Sequence, residues 1–316
     1  MKRFTQLSHF IFLILLLTSC GGDEADIANA IDEANFLLTD RQCAQARQVL
    51  NDVGYQASNA RYIAAYATTY ACEANYSTVT FFGSDISKVA STGNGFFGSL
   101  ATFTTSDDMT SPTDTDYVNL KSAIETILYA GNQTNSSSAN RATVFSTSEL
   151  NNLNAQALYM VLVNLGRWLY LYGNANANGI KGSGTNPSSN TCIYTYPAGN
   201  LDAIDALDDG NTGSCTDVAN LGSNFMMTGD AVEEKARLCQ GIVLFNNFID
   251  LVVNVTFTSA NSGELSNLGT TFNSLCQDVT QFADDLCSLR DQTGCEAQSI
   301  TDLEIFSAWL FESYFL

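Results

Sequence analysis

Asp26-Ile27-Ala28-Asn29-Ala30-Ile31-Asp32-Glu33-Ala34-Asn35-Phe36-Leu37-Leu38 is the stretch that decides the fold class. Ile27, Ala30, Ile31, Ala34, Leu37 and Leu38 recur at intervals of three and four, which puts them on one face of an α-helix. After a turn at Thr39-Asp40 the pattern returns over residues 41–53, with Ala46, Val49 and Leu50 inward and Gly54 as the stop. Ser58 or Asn59 can cap a third helix, in which Tyr62, Ala65, Tyr66, Thr69, Tyr70 and Glu73 share a face. A fourth helix is expected over residues 79–90. Few stretches alternate with period two, so the chain reads as all-α, its antiparallel hairpins packed through short loops into a bundle.

Further helices are expected at 96–103, 116–130 and 148–172, the last capped by Ser148 with Glu149 in its first turn. Residues 132–140 read as a loop. Residues 173–200 are rich in Asn, Gly and Ser and hold Pro187 and Pro197; loops of this size are usually functional or disordered. Helices return at 230–257, 264–290 and 301–315. The two longest apolar stretches are broken by Asn164, Gly166 and Arg167 and by Asn246, Asn247, Asp250 and Asn254. Neither offers the ~20 nearly uninterrupted apolar residues of a membrane span, so both are expected to be buried helices.

The N-terminus carries a different message. Met1-Lys2-Arg3 is a short positive segment, residues 10–17 are unbroken apolar, and Leu17-Thr18-Ser19-Cys20 follows. This ending resembles the lipobox of bacterial lipoproteins. The resemblance implies removal of residues 1–19 and acylation of Cys20. At ~0.8 kcal/mol per buried methylene, two or three chains on one residue make a stable anchor. Gly21 after the cysteine, rather than Asp, implies the outer membrane, with the protein on its periplasmic or surface side. Residues 20–25 then form a tether shorter than ~20 Å.

Residues 26–82 resemble tetratricopeptide-type repeats, with alternating short helices, small residues such as Ala34, Ala46 and Ala64 at packing positions and a unit near 34 residues. A generic antiparallel bundle meets the same pattern. The division expected is therefore helical hairpins over 26–90 and a second helical region over 91–316.

Loss of the signal removes His9, the one histidine, together with Lys2 and Arg3, leaving 11 basic against 33 acidic residues and a formal charge of −22. Nucleic acid and anionic membrane surfaces repel such a chain. The bilayer is expected to be met through the acyl chains alone.

Apart from Cys20 there are eight cysteines, Cys43, Cys72, Cys192, Cys215, Cys239, Cys276, Cys287 and Cys295. An even number in an exported chain suggests disulfides. Cys43 opens the second helix and Cys72 lies late in the antiparallel third, at the same height, so they are expected to pair. Cys192 with Cys215 is the second expectation. If helices 230–257 and 264–290 form a hairpin centred near 261, Cys239 should meet Cys287 or Cys276, and Cys295 should take the one left over. The better register of the first choice is offset by the shorter loop of the second, and the two stay open.

Catalysis is not expected. Ser and Cys hydrolases need an imidazole to take the nucleophile's proton, and metal and haem sites usually draw on histidine too. Gly93-x-Gly95-x-x-Gly98 follows no strand and is only a lookalike of a nucleotide loop. Asp107-Asp108, Asp208-Asp209, Glu233-Glu234 and Asp284-Asp285 diverge by ~100° if helical, so they do not face one another as glycosidase pairs. Asp202, Asp205 and Asp209 share a face but read as a solvated acidic helix. Asn174, Asn176, Asn178 and Gly179 follow the layout of a calcium loop. Amides replace all its carboxylates, and Thr185 stands at the twelfth position where a bidentate Glu is normal. No metal site or cofactor is therefore expected, and these asparagines are the nearest candidate.

At the C-terminus, Ile300, Leu303, Phe306 or Ser307, and Leu310 form an apolar stripe. It should dock a helix on the core, with Trp309 and Phe311 the candidate contacts for a partner. Two functions remain. One is a lipid-anchored scaffold that holds an envelope protein, marked by an open groove along 41–90. The other is a small-molecule carrier delivering to a transporter, marked by a large apolar cavity among the aromatics of 159–172 and 245–257.

Overall fold

In the computed structural model, residues 23–91, 95–185, 187, 191–194, 196, 215, 231–256, 267, 272, 286–312 and 314–315 are described, and no strand occurs among them. The fold is all-α and stapled by disulfides. Helix α1 spans Asp23–Thr39, α2 Cys43–Asp52 and α3 Ala60–Glu73. Asn59 is the cap of α3, its side chain accepting from Tyr62 N at 3.0 Å. Asp23, Glu24 and Ala25 are helical, so they belong to α1 and not to a tether. Helix α4 starts as Thr78–Thr80, widens into a π turn at Phe81–Asp85 and ends as Ile86–Ser91. Then come α5 (Gly95–Ala101), α6 (Thr115–Leu128), α7 (Ser138–Arg141) and the 26-residue α8 (Thr147–Tyr172).

Helix α8 is the axis of the molecule, about 39 Å long at 1.5 Å per residue. It packs on α3, α5, α6 and α9 (Ala231–Asn254). Leu158, Val161, Leu162, Leu165, Trp168 and Leu169 on it are fully buried. Each such side chain contributes roughly 1.5–3 kcal/mol relative to exposure, which outweighs the weak propensity of its β-branched members. Its cap is Ser146, not Ser148. Ser146 Oγ accepts from Glu149 N while the Glu149 carboxylate accepts from Ser146 N, a reciprocal pair that needs the two residues three apart. Gly166 lets the backbone of α5 close in: a Cβ there would lie 2.4 Å from Leu100 O.

Of the residues that break the apolar stretches, Asn164, Arg167, Asn246, Asn247 and Asp250 are buried, while Asn254 is exposed. Arg167 donates to Thr105 O, Asp116 O and Ala74 O, joining the connection after α5, the first turn of α6 and the end of α3. Arg141, also fully buried, donates to Asn154 Oδ1, Leu128 O and Ser136 O. Asp250 of α9 accepts from the Ser138 amide and hydroxyl, which closes the network between α7, α8 and α9. Burial pushes the Arg141 guanidinium down to about 10. Residues 132–140 are thus not all loop, since α7 begins inside them and its turn feeds this network.

Two of the expected disulfides are present, Cys43–Cys72 with Cα atoms 5.7 Å apart and Cys192–Cys215 at 4.5 Å. The third corrects the hairpin register, because Cys239 bonds Cys295 and neither Cys287 nor Cys276. The returning chain lies further along α9 than a hairpin centred at 261 allows. Asn246 Nδ2 donates to Leu286 O and Leu289 O, and Asn247 Nδ2 to Arg290 O, so Leu286–Ser288, a 3-10 turn, sits beside the middle of α9. Gln292 Nε2 then reaches Ala236 O, and α10 (Gln292–Glu296) brings Cys295 to Cys239. Cys287 is also disulfide-bonded, to a partner outside the described residues. Cys276 and most of the helix expected at 264–290 lie outside them too. The chain closes with α11, Ile300–Ser307, continued by a π turn at Ala308–Glu312.

Candidate functional site

The Cys43–Cys72 bridge does more than tie α2 to α3. It fixes the turn between α1 and α2, in which Arg41 holds a left-handed φ of +56°, and it sets that turn beside the C-terminal end of α3. Gln42 N donates to Leu37 O at 2.9 Å and Arg41 N to Leu38 O at 3.1 Å, the hydrogen-bonded closure that ends a helix with its C′ residue in the left-handed region. Between this turn, the end of α3, the start of α4 and the first half of α8 lies an open groove of ≈ 680 Å³. Leu38, Ala71, Ala155 and Met160 supply its apolar lining, and Gln156 locks α8 to α3 by donating to Ala64 O and Thr68 Oγ1. The lip at α4 is apolar as well. Val79 is 83% exposed and Phe82 50%, and the Phe82 ring rests edge-on against Tyr159 at 4.8 Å. The π turn of α4 is held by buried Asp85, which accepts from Lys88 Nζ, Thr104 N and Thr104 Oγ1.

Arg41 is the one charged side chain among the groove's lining residues, on a chain whose formal charge is −20. The groove sits at the far end of α1 from Asp23, about 25 Å away for 17 residues. Tyr55, before α3, and Tyr62, Tyr66 and Tyr70 along α3 pack ring to ring at 5.6–5.9 Å, with Tyr62 fully buried. Arg47 caps this ladder, lying 4.3 Å from the Tyr70 ring centroid and making a two-point ion pair with Glu73. Burial, and then the neighbouring tyrosines, raise the Tyr62 phenol to about 12, so it stays neutral and donates to Leu50 O.

Aromatics of 159–172 and of 245–256 pack against other rings of the described core. Trp168 meets Phe311 at 4.7 Å, Phe97 meets Phe245 at 5.7 Å, and Phe96 stacks on Phe248 at 5.1 Å. A smaller depression of ≈ 360 Å³ lies over the end of α8, between Tyr170, Tyr172 and Arg237.

Trp309 and Phe311 are not partner contacts. They are 3% and 0% exposed and belong to the core, where the π turn of α11 rotates them inward. The asparagine loop is likewise engaged with its own backbone: Asn176 Oδ1 accepts from Asn178 N and Ile180 N. Asn174 is 2% exposed, and Gly179 packs so tightly that a Cβ would sit 2.1 Å from Gly98 O. Among the described residues no group of three or more His, Cys, Asp or Glu side chains could hold a metal. Cys20, Asp202, Asp205 and Asp209 lie outside the described residues.

What the sequence did not announce is how Lys181, Ile193 and Tyr196 are held. Lys181 and Glu312 form a buried ion pair at 2.6 Å, and the other Glu312 oxygen accepts from Ile193 N and Tyr196 OH. The only signal was a lone lysine among Asn, Gly and Ser. Helix α9 is long and apolar enough to cross a membrane, at a mean hydropathy of 1.3, but 78% of that window is buried inside the protein. No family model, no curated protein and no solved structure matches this chain.

Proposed function

We propose that this chain is a lipid-anchored scaffold of a bacterial envelope, held to the outer membrane through Cys20 and binding a protein partner without catalysis. The single observation that carries the partner-binding part is the open groove of ≈ 680 Å³ with an apolar, exposed lip at Val79 and Phe82. A groove of mixed lining beside contiguous exposed apolar side chains is the usual setting for a protein contact. Its distance from Asp23 favours a partner reached away from the bilayer. The ring-to-ring packing of Trp168 on Phe311 and of Phe245 on Phe248 weighs against the carrier reading, which expects a large apolar cavity among these aromatics.

The test is site-specific photocrosslinking in intact cells, with the reactive residue at Val79 and, as control, at Val232, which is 77% exposed on α9. A discrete adduct from position 79 that position 232 does not give is the expected result. The same adducts from both positions, or none from position 79, would overturn it.

A further inference from the structure

Asn164 sits at the middle of α8 with no solvent exposure, yet neither its Nδ2 nor its Oδ1 has a hydrogen-bond partner in the protein. Gln240 Oε1 on α9 is sealed and unpartnered in the same way. Both residues line one cleft between α6 and α9, whose internal volume is ≈ 40 Å³. One water needs about 10–15 Å³ by that measure, so there is room for a group of about three or four heavy atoms. Ile124, Leu128, Val243 and Leu244 wall the cleft, and Lys121, Glu125 and Arg290 stand among its lining residues with charges of both signs.

We propose that this cleft binds a primary carboxamide group. Four orphaned atoms of its lining residues define what fits: two donors, Asn164 Nδ2 and Arg290 Nε, and two acceptors, Asn164 Oδ1 and Gln240 Oε1. A primary carboxamide carries the inverse set, two N–H donors and a carbonyl oxygen whose two lone pairs can accept twice. A carboxylate would face two acceptors with no proton to offer either. An ammonium would leave the Asn164 donor unpaired, and a tertiary amide would leave both acceptors so. A net charge would in addition be stripped of water between aliphatic walls. Apolar walls with a few convergent polar atoms are the ordinary make-up of a small-molecule site. The ligand is therefore a neutral molecule that inserts a carboxamide head, its remainder extending to the charged side chains at Lys121 and Arg290.

Acetamide is the probe, titrated into the full mature protein and followed by ligand-detected NMR beside acetate and N,N-dimethylacetamide. Saturable acetamide binding is expected, at least tenfold tighter than either comparator, and weakened at least tenfold in Asn164→Leu and in Gln240→Met. Asn164→Leu removes two unpaired polar atoms and should fold; if it does not, Gln240→Met decides alone. No saturable acetamide binding would mean that the cleft holds water only, and would overturn the proposal. So would dimethylacetamide binding as tightly as acetamide, or unchanged binding in the folded variants.

Discussion

At the scale of single residues, the interior is set by side chains that look out of place in the sequence. Arg167 interrupts an apolar run, and the run is buried because Arg167 spends its guanidinium on three backbone carbonyls. Replacing it with Met keeps the volume but orphans those acceptors. Arg167→Met should destabilise by roughly 3–5 kcal/mol, the scale of breaking a buried charged group's hydrogen bonds, read from the denaturation midpoint at unchanged m. Gly179 gives the opposite kind of constraint. At φ +77°, with Gly98 O only 2.1 Å from where a Cβ would be, Gly179→Ala should cost about 2 kcal/mol or more and loosen the 173–185 segment first. Neither role was legible from residue type. A lone Arg in an apolar run has the same spelling whether it faces a cavity, a partner or a carbonyl cluster.

At the scale of elements, the sequence carried what is periodic and lost what depends on register. The apolar spacing of 26–38 and the Asn59 cap located α1 and α3, and the antiparallel heights of Cys43 and Cys72 located their bridge. The Cys239 pairing failed because it assumed one unbroken helix through residue 290. The described 3-10 turn at Leu286–Ser288 beside Asn246 shifts every later contact along α9. The chain-entropy model gives ~3.6 kcal/mol for the 29-residue separation of Cys43 and Cys72 and ~4.2 kcal/mol for the 56 residues between Cys239 and Cys295. Non-reducing peptide mapping should recover Cys239–Cys295, and the double Cys239→Ala/Cys295→Ala variant should lose the larger amount. Helix α8 offers a pH test. Hydrogen bonds from the Ser146 hydroxyl and amide hold the Glu149 carboxyl below its ordinary 4.5. A depressed carboxyl stabilises the fold above the unfolded-state value, and the contribution is lost as pH falls through the folded one. Wild type should therefore exceed Glu149→Gln in stability at pH 7, and the gap should close as the pH drops below about 4.5. A gap that persists in acid would mean that the contribution of Glu149 does not come from its ionised carboxylate, and no gap at pH 7 would assign the cap to Ser146 alone.

At the scale of the whole molecule, the proposed function joins two parts that the chain keeps separate. One is a helical body whose open groove lies at the far end of α1 from Asp23; the other is a cysteine that precedes that helix by three positions. The body was readable as all-α because helical periodicity repeats from end to end. The groove was not, since it is assembled from α1, α3, α4 and α8, whose contact no local pattern encodes. Its charge pattern also emerges only on folding, when Arg41 comes to stand among uncharged neighbours. The central claim is that this body works at a membrane to which Cys20 alone holds it. Metabolic labelling with a palmitate analogue, followed by fractionation of cells expressing wild type or Cys20→Ala, tests that claim most directly. Wild type should carry the label and sediment with membranes, while Cys20→Ala should lose both. A Cys20→Ala protein that still sediments with membranes would contradict the account.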